Sequence, residues 1–191
     1  MINISEFFGS LPQLETSRVK LRKIDLFDTQ DIYEYASNPQ VSEYLFWDTH
    51  KSPITSRKFI SNIMQCAIEG RECPWGIEFK ETSKIIGTAG FNFCDTRNKK
   101  AEIGYALSPQ YWNKGIMTEI VNLITVYGFK YLALNRIEAR CELENIASHK
   151  VLEKCGYTKE GILRQAAFAK GKFKDLYLYA IISSEEKSEM L

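Results

Sequence analysis

Tyr111-Trp112-Asn113-Lys114-Gly115-Ile116-Met117-Thr118-Glu119 joins a stretch with the alternation of a strand to one with the period of a helix. The first backbone N–H groups of a helix have no partner inside it and point outward. The helix dipole adds partial positive charge at the same end. Together they favour a phosphate. Gly115 lets the chain take a positive φ or come close to a ligand, Lys114 adds a formal charge and Thr118 a hydroxyl. Neither GxxxxGK[ST] nor GxGxxG occurs here, so this is not a P-loop and not the dinucleotide fingerprint. One glycine ahead of a helix also describes an ordinary junction, and the rest of the chain has to decide what the loop is for.

Working outward, residues 109–115 form a loop. Before it, Ala101, Ile103, Tyr105 and Leu107 alternate with Glu102, Gly104 and Ala106. Residues 85–93 are β-rich, and Trp75, Ile77 and Phe79 alternate as well. Short turns at 81–84 and 95–99 make these three an antiparallel meander. Earlier still, Val19 and Leu21 mark a short strand, and Asp25 or Asp28 can cap a helix whose face is Ile32, Tyr35 and Ala36. Ser52-Pro53 starts the strongest amphipathic helix, with Phe59, Ile60, Ile63, Met64, Ala67 and Ile68 in helical period up to Gly70. After the loop, Met117, Ile120, Val121, Ile124, Gly128 and Leu132 share one helix. Ile137, Ala139, Cys141 and Leu143 alternate with charged residues in a strand. Ala147, Val151, Leu152 and Cys155 mark a second helix, stopped by Gly156. Residues 157–163 and 173–182 close the pattern as strands. The reading is an α/β (α+β) domain: a mixed, mostly antiparallel twisted sheet of about seven strands flanked by about four helices. One domain spans 1–191, ending in a loose polar tail at 183–191.

The 191 residues are 45% hydrophobic and 26% charged with a formal net charge of +1. No basic run favours nucleic acid, and the clusters at 97–100 and 170–174 read as solvated turns. Five cysteines without a CxxC pair signal neither a disulfide framework nor a zinc site, and no metal is expected. Residues 1–11 lack the basic and apolar regions of a secretory leader. The longest apolar run, 176–182, is far short of the ~20 residues of a membrane helix. A cytoplasmic location, with no membrane partner, is the simplest expectation.

About thirty residues past the loop comes Asn145-Ile146-Ala147-Ser148, followed by Val151-Leu152-Glu153-Lys154-Cys155-Gly156-Tyr157. With Leu14-Glu15-Thr16-Ser17-Arg18-Val19-Lys20-Leu21-Arg22, Glu102-Ile103-Gly104-Tyr105, Trp112-Asn113-Lys114-Gly115-Ile116-Met117-Thr118-Glu119 and Asn135-Arg136-Ile137, these pieces stand in an order that resembles the GNAT superfamily of acetyl-CoA-dependent N-acetyltransferases. The narrower resemblance is to its RimJ/RimL branch, the ribosomal-protein alanine N-acetyltransferases, and it covers about 14–182. The resemblance implies that the pyrophosphate of acetyl-CoA lies on the loop of Trp112, Asn113, Lys114, Gly115, Ile116, Met117 and Thr118. It implies a pantetheine arm running beside Tyr105, Ala106 and Leu107, with amides bonded by Asn145. Trp112 replaces the usual Gln or Arg of the family loop, and Met117 the usual small residue; a narrower pocket is one expected consequence.

Acetyl transfer to an amine needs a neutral amine, a stabilised carbonyl oxygen and a proton for the leaving thiolate. An α-amine has a pKa of ~7.7–8.0 and a lysine ~10.4, so at pH 7 roughly a tenth of the first but under a thousandth of the second is neutral. Glu102, on the strand beside the cofactor, is the candidate base, although an alternating strand also puts glutamates in solvent. Ser148, at a helix start, is the candidate acid and also contacts the cofactor; with Asn145 it equally suits helix capping. A backbone N–H near Ala106 or Leu107 would polarise the carbonyl. One branch member has a proposed base where this chain has Ala167. Trp47, His50, Trp75 and Asp175 are candidates for the acceptor side, with Trp75 also suited to the core and Asp175 to a structural role. His149 reads as a surface residue and Cys155 as buried rather than nucleophilic. The leading expectation is an acetyltransferase for an α-amine of a protein or peptide. A small amine as acceptor, or a non-catalytic acyl-CoA-binding domain, stays open, as does assembly into a homodimer.

Overall fold

The computed structural model describes residues 4–185, so 186–191 of the expected loose tail lies outside the described residues. Strand alternation and short turns produce eight strands: β1 (Leu14–Glu15), β2 (Val19–Arg22), β3 (Trp75–Phe79), β4 (Lys84–Asp95), β5 (Lys100–Leu107), β6 (Arg136–Glu142), β7 (Thr158–Ala169) and β8 (Lys172–Ile182). They form one sheet in the order β1-β2-β3-β4-β5-β6-β8-β7. Every neighbouring pair is antiparallel except β5 with β6. The strand beyond the expected seven is β1, whose two residues are too few to show a period.

Among the described residues there are six α-helices: α1 (Ile4–Ser10), α2 (Thr29–Ala36), α3 (Pro39–Ser42), α4 (Pro53–Ile68), α5 (Ile116–Tyr131) and α6 (Ile146–Lys154). The two beyond the expected four are short. The first is held by burial of Phe7 and Phe8. The four-residue α3 is held by Pro39 and by the Asn38 side chain, which accepts from the Gln40 N–H. Local signals this brief do not rise above a loop reading.

Helices cover both faces of the sheet. On one face, α5 comes so close that a Cβ at Gly128 would lie 2.9 Å from Ile137 Cδ1 and 3.1 Å from the Phe91 ring. A side chain there would force Ile137, Leu134 and Phe91 to give way. On the opposite face α2 sits over Thr88, which is hydrogen-bonded to the buried Tyr35. Between the layers the largest buried groups are Trp75, Tyr179, Phe7, Phe8 and Phe91. Thr125 of α5 and Tyr157, both buried, satisfy each other at 2.8 Å. A buried hydroxyl without such a partner would be destabilising.

Residues 170–173 are exposed around the turn that joins β7 to β8, as their charge suggests, and two of the lysines in this stretch also bind back to the fold. Lys170 donates to the backbone oxygens of Ser42 and Glu43. Lys174 forms an ion pair with Glu142, whose side chain is 4% exposed. No helix among the described residues is long and apolar enough to cross a membrane.

Candidate active site

The parallel ladder between β5 and β6 runs from Lys100↔Arg136 to Ile103↔Ala139 and ends there. Both strands continue past it, each still paired on its outer side with β4 or β8. The sheet therefore splits between two strands that remain tied to the fold. A cavity of about 330 Å³ occupies the split.

Alternation divides its walls. Tyr105, Ala139 and Cys141 share one face of the strands, and Ser148 of α6 joins them. Glu102, Gly104, Ala106, Arg140 and Glu142 share the other, where α4 closes the space with Phe59, Asn62 and Ile63. The loop after α3 adds Tyr44, Phe46 and Trp47. The cavity thus passes through the sheet and is chemically different on its two sides.

On the first side, the Tyr105 and Ser148 hydroxyls are 2.7 Å apart. Asn145 Oδ1 accepts from the Ser148 N–H at 3.1 Å and so caps α6. Burial holds the Tyr105 phenol well above its ordinary value, partly offset by the bond to Ser148. Burial likewise pushes the Cys141 thiol up to about 11, against a hydrogen bond with Ser148. Both groups stay protonated at neutral pH.

On the second side, Arg140 Nε lies 3.2 Å from Glu102 Oε2. Burial raises the Glu102 carboxyl above its ordinary value; Arg140 and Lys100 oppose the rise, and Glu138 reinforces it. Glu138 stands directly opposite Glu102 in the ladder. It is itself compensated by Arg136 Nε at 2.8 Å and Lys100 at 3.6 Å.

The loop of 112–118 lies at the far end of β5. Trp112 Nε1 donates to the Leu107 carbonyl at 2.8 Å, which fastens the loop to the strand. Asn113 and Gly115 have φ of 58° and 74°, the left-handed region that glycine occupies without strain. Arg18 Nη1 donates to the Lys114 carbonyl at 2.8 Å, and its Nε donates to Glu119 at 2.8 Å. Glu119 is the first residue of α5 whose N–H returns to the preceding turn, to Gly115. The amides of Ile116, Met117 and Thr118 precede that ladder and are the orphan donors of a helix start. Ile116 and Met117 turn their side chains into the core, 2% and 7% exposed. Met117 therefore does not narrow the loop, and only its backbone faces outward.

Of the expected contact residues, Glu102, Tyr105, Ala106, Asn145, Ser148 and Trp47 line the cavity. His50 does not. It is 6% exposed, bonds Ser56 Oγ through Nδ1 at 2.9 Å and supports Trp47 and Phe59 from behind. Trp75 does not either: it is fully buried and donates from Nε1 to the Pro12 carbonyl at 2.7 Å, so its place is the core. Asp175 is away from the cavity and accepts from the Gln165 N–H at 2.7 Å, where β7 bulges against β8. His149, expected at the surface, is 8% exposed; its Nε2 is 3.0 Å from the Glu142 carbonyl and its ring packs on Tyr177 and Tyr179. The helix start aims it at the end of β6, which its sequence neighbours do not reveal. Cys155 is buried, its thiol pushed up to about 12 by burial.

Sequence reading passed over Arg140, Glu142 and Glu72. The first two look like the solvent side of an alternating strand, and Glu72 like part of a loop. Only the split between β5 and β6 turns them toward a common space. Among the described residues no group of three or more His, Cys, Asp or Glu side chains is placed to hold a metal.

Comparison with known proteins follows the same lines. The acetyltransferase (GNAT) domain family matches residues 18–158. The chain is 40% identical over 172 residues to the uncharacterized N-acetyltransferase p20 of Bacillus licheniformis, covering 90% of this chain and 97% of that protein. It is 34% identical over 108 residues to the ribosomal-protein-serine acetyltransferase of Escherichia coli (strain K12), covering 56% of this chain and 60% of that one. The solved structure of the microcin C7 self-immunity acetyltransferase MccE in complex with acetyl-CoA and AMP is similar with a TM-score of 0.78 and 26% identity, covering 87% of this chain and 93% of that one.

Proposed function

This chain belongs to the GNAT acetyltransferase family, and on that premise we propose that it transfers an acetyl group from acetyl-CoA to a primary amine, an α-amine of a protein or peptide, in the split between β5 and β6. The observation that carries the reading is the end of the ladder at Ile103↔Ala139 with Glu102 on one face and the Tyr105–Ser148 pair on the other. A group held in the split meets a carboxylate from one side and a hydroxyl pair from the other.

The residues present fit acetyl-CoA. The inner edges of β5 and β6 beyond the ladder can bond the amides of an extended arm as a further strand would. The outward amides of Ile116, Met117 and Thr118 suit a pyrophosphate. When bound, the thioester supplies an activated acetyl group and a thiolate leaving group.

Glu102 takes a proton from the incoming ammonium, directly or through a water, leaving the amine lone pair free. Its raised carboxyl is a better proton acceptor near neutral pH than an exposed glutamate, and Arg140 keeps it anionic. A backbone N–H near Ala106 or Leu107 stabilises the charge on the acetyl oxygen. On the opposite face Ser148 Oγ gives its proton toward the sulfur while accepting a hydrogen bond from the Tyr105 hydroxyl. Tyr105, kept neutral by burial, fixes which way the serine proton points.

The protein or peptide acceptor is supported by the likeness to a ribosomal-protein-serine acetyltransferase. An α-amine also asks less of a base than a lysine does, which suits a glutamate already engaged by an arginine. Steady-state release of CoA thiol, measured with acetyl-CoA and a panel of peptides and small amines, tests the proposal. Release that depends on an α-amine supports it. Turnover of small amines alone would move the acceptor class, and tight acetyl-CoA binding without release for any amine would leave a non-catalytic domain.

A further inference from the structure

Three carboxylates line the cavity: Glu72, Glu102 and Glu142. Two are compensated. Glu102 is 3.2 Å from Arg140 Nε, and Glu142 is paired with Lys174. Glu72 is different. Among the described residues no Lys, Arg or His nitrogen lies within ion-pair distance of it.

Glu72 is nevertheless held in place. Its Oε1 accepts from the Cys94 N–H at 3.2 Å, which leaves Oε2 as the acceptor available to a ligand. The anchor also fixes its position in the sheet. Cys94 stands opposite Ala101, and its neighbour Phe93 stands opposite Glu102. Glu72 therefore meets β4 at the level of Ala101 and Glu102, the end of the cavity where the candidate base stands. Tyr44, Phe46, Trp47 and Phe59 add aromatic faces to the wall on that side, beside Ile63 and Asn62. Aromatic faces accept an apolar stem and also attract a cation.

The neighbouring Arg71 feels the charge of Glu72 but is ion-paired with Glu69 instead. A half-buried carboxylate without a direct cation partner costs free energy in the empty site, and a cationic ligand held against it lowers that cost. An amine that reacts must lose its charge, so the group neutralising Glu72 is a second one. We infer that the acceptor is a primary amine carrying a further positive charge a short distance from the reacting nitrogen, and that Glu72 binds this second charge while Glu102 serves the first. Glu72 is then a specificity-determining residue. The inference rests on the acetyl-transfer reading above and narrows it. The shared chemistry could come from a peptide whose second residue is lysine or arginine, or from a small diamine.

Matched acceptors separate these. CoA thiol release would be followed with peptides starting Ala-Lys and Ala-norleucine, and with 1,4-diaminobutane and butylamine, for the parent protein, Glu72→Gln and Glu72→Asp. The parent is expected to prefer the doubly charged member of at least one pair by at least about tenfold in kcat/KM, as for a charge-assisted hydrogen bond. The pair that shows the preference identifies the source. Glu72→Gln is expected to lose most on the doubly charged acceptors, so that the preference collapses, while Glu72→Asp retains part of it. The preference in the parent should also weaken with added salt, a readout independent of whether either variant folds. Equal rates within both pairs for the parent would overturn the inference and leave acetyl transfer standing. So would a Glu72→Gln loss equal for all acceptors, which would mark Glu72 as a base or a scaffold. No release with any amine would count against acetyl transfer itself, and the acceptor class would fall with it.

Discussion

The Tyr105 hydroxyl, on β5, lies 2.7 Å from the Ser148 hydroxyl, on α6. It spans from one wall of the split sheet to the start of the helix that closes it. Tyr105 is held neutral by burial, so it can donate, and Ser148 then has its own proton free for the cavity. Removing the donor alone should cost what one hydrogen bond is worth. Tyr105→Phe is expected to lower kcat by about two- to tenfold with little change in KM for acetyl-CoA. Ser148→Ala is expected to lower kcat by on the order of a hundredfold. The double variant should fall no further than Ser148→Ala, because the two act as one unit. Additive losses would separate them.

The Glu102 carboxyl is raised, chiefly by burial. As a base it works only when ionised, so kcat/KM should fall as pH drops through its raised pKa. Glu102→Gln is expected to abolish that acidic limb together with most of the activity. Arg140→Gln removes the neighbour that opposes the rise, and the limb should move to higher pH. Stability has the opposite sign: a raised carboxyl contributes most below its unfolded value of 4.5 and loses that contribution as pH rises through the folded value. At neutral pH Glu102→Gln should therefore be no less stable than the parent. A variant with an unmoved pH profile would remove Glu102 from the chemistry.

Arg18 holds the loop by its bonds to the Lys114 carbonyl and Glu119. Burial opposes ionisation of Glu119, but hydrogen bonds from Thr16 and Arg18 outweigh it and depress the carboxyl below 4.5. That contribution is fully present above the unfolded value and is lost as pH falls through the folded one. Arg18→Ala should weaken acetyl-CoA binding severalfold in calorimetry while sparing kcat. Its stability deficit should be complete at neutral pH and shrink in acid. An unchanged dissociation constant would show that the loop needs no such support.

Trp75 fills the core and is hydrogen-bonded to Pro12. Trp75→Ala is expected to destabilise the fold by about 3–5 kcal/mol, on the order of 10 °C in melting temperature for a chain of this size. Below its melting temperature the variant should keep a near-parental KM for the amine. A large KM change with little loss of stability would put Trp75 back at the acceptor.

Much of this fold is legible in the chain because the relevant signals are local. Alternation at 101–107 and at 136–142, and helical period after Ser52 and after Gly115, each report burial on one face of one element. The short α1, α3 and β1 lack enough residues for a period. Positions on the strand facing the cavity are harder. Glu102 and Ser148 stand out because they sit beside loops with recognisable neighbours. Arg140, Glu142 and Glu72 carry the charge of solvent-facing residues, and only the divergence of β5 from β6 makes them walls of one space. His50 and Trp75 stay open between pocket and core in the sequence for the converse reason: a polar-tipped aromatic suits both, and the Ser56 and Pro12 partners that decide between them are unmarked or distant in sequence. His149 needed the aim of α6 toward the end of β6.

The most direct measurement is the release of CoA thiol by the purified protein given acetyl-CoA, with and without amine, alongside Ser148→Ala. Release that requires both acetyl-CoA and a primary amine, matched by one acetylated amine per thiol and slowed on the order of a hundredfold in the variant, is the expected result. Thiol release that ignores the amine, or none at all from a protein that binds acetyl-CoA, would contradict acetyl transfer at the split between β5 and β6.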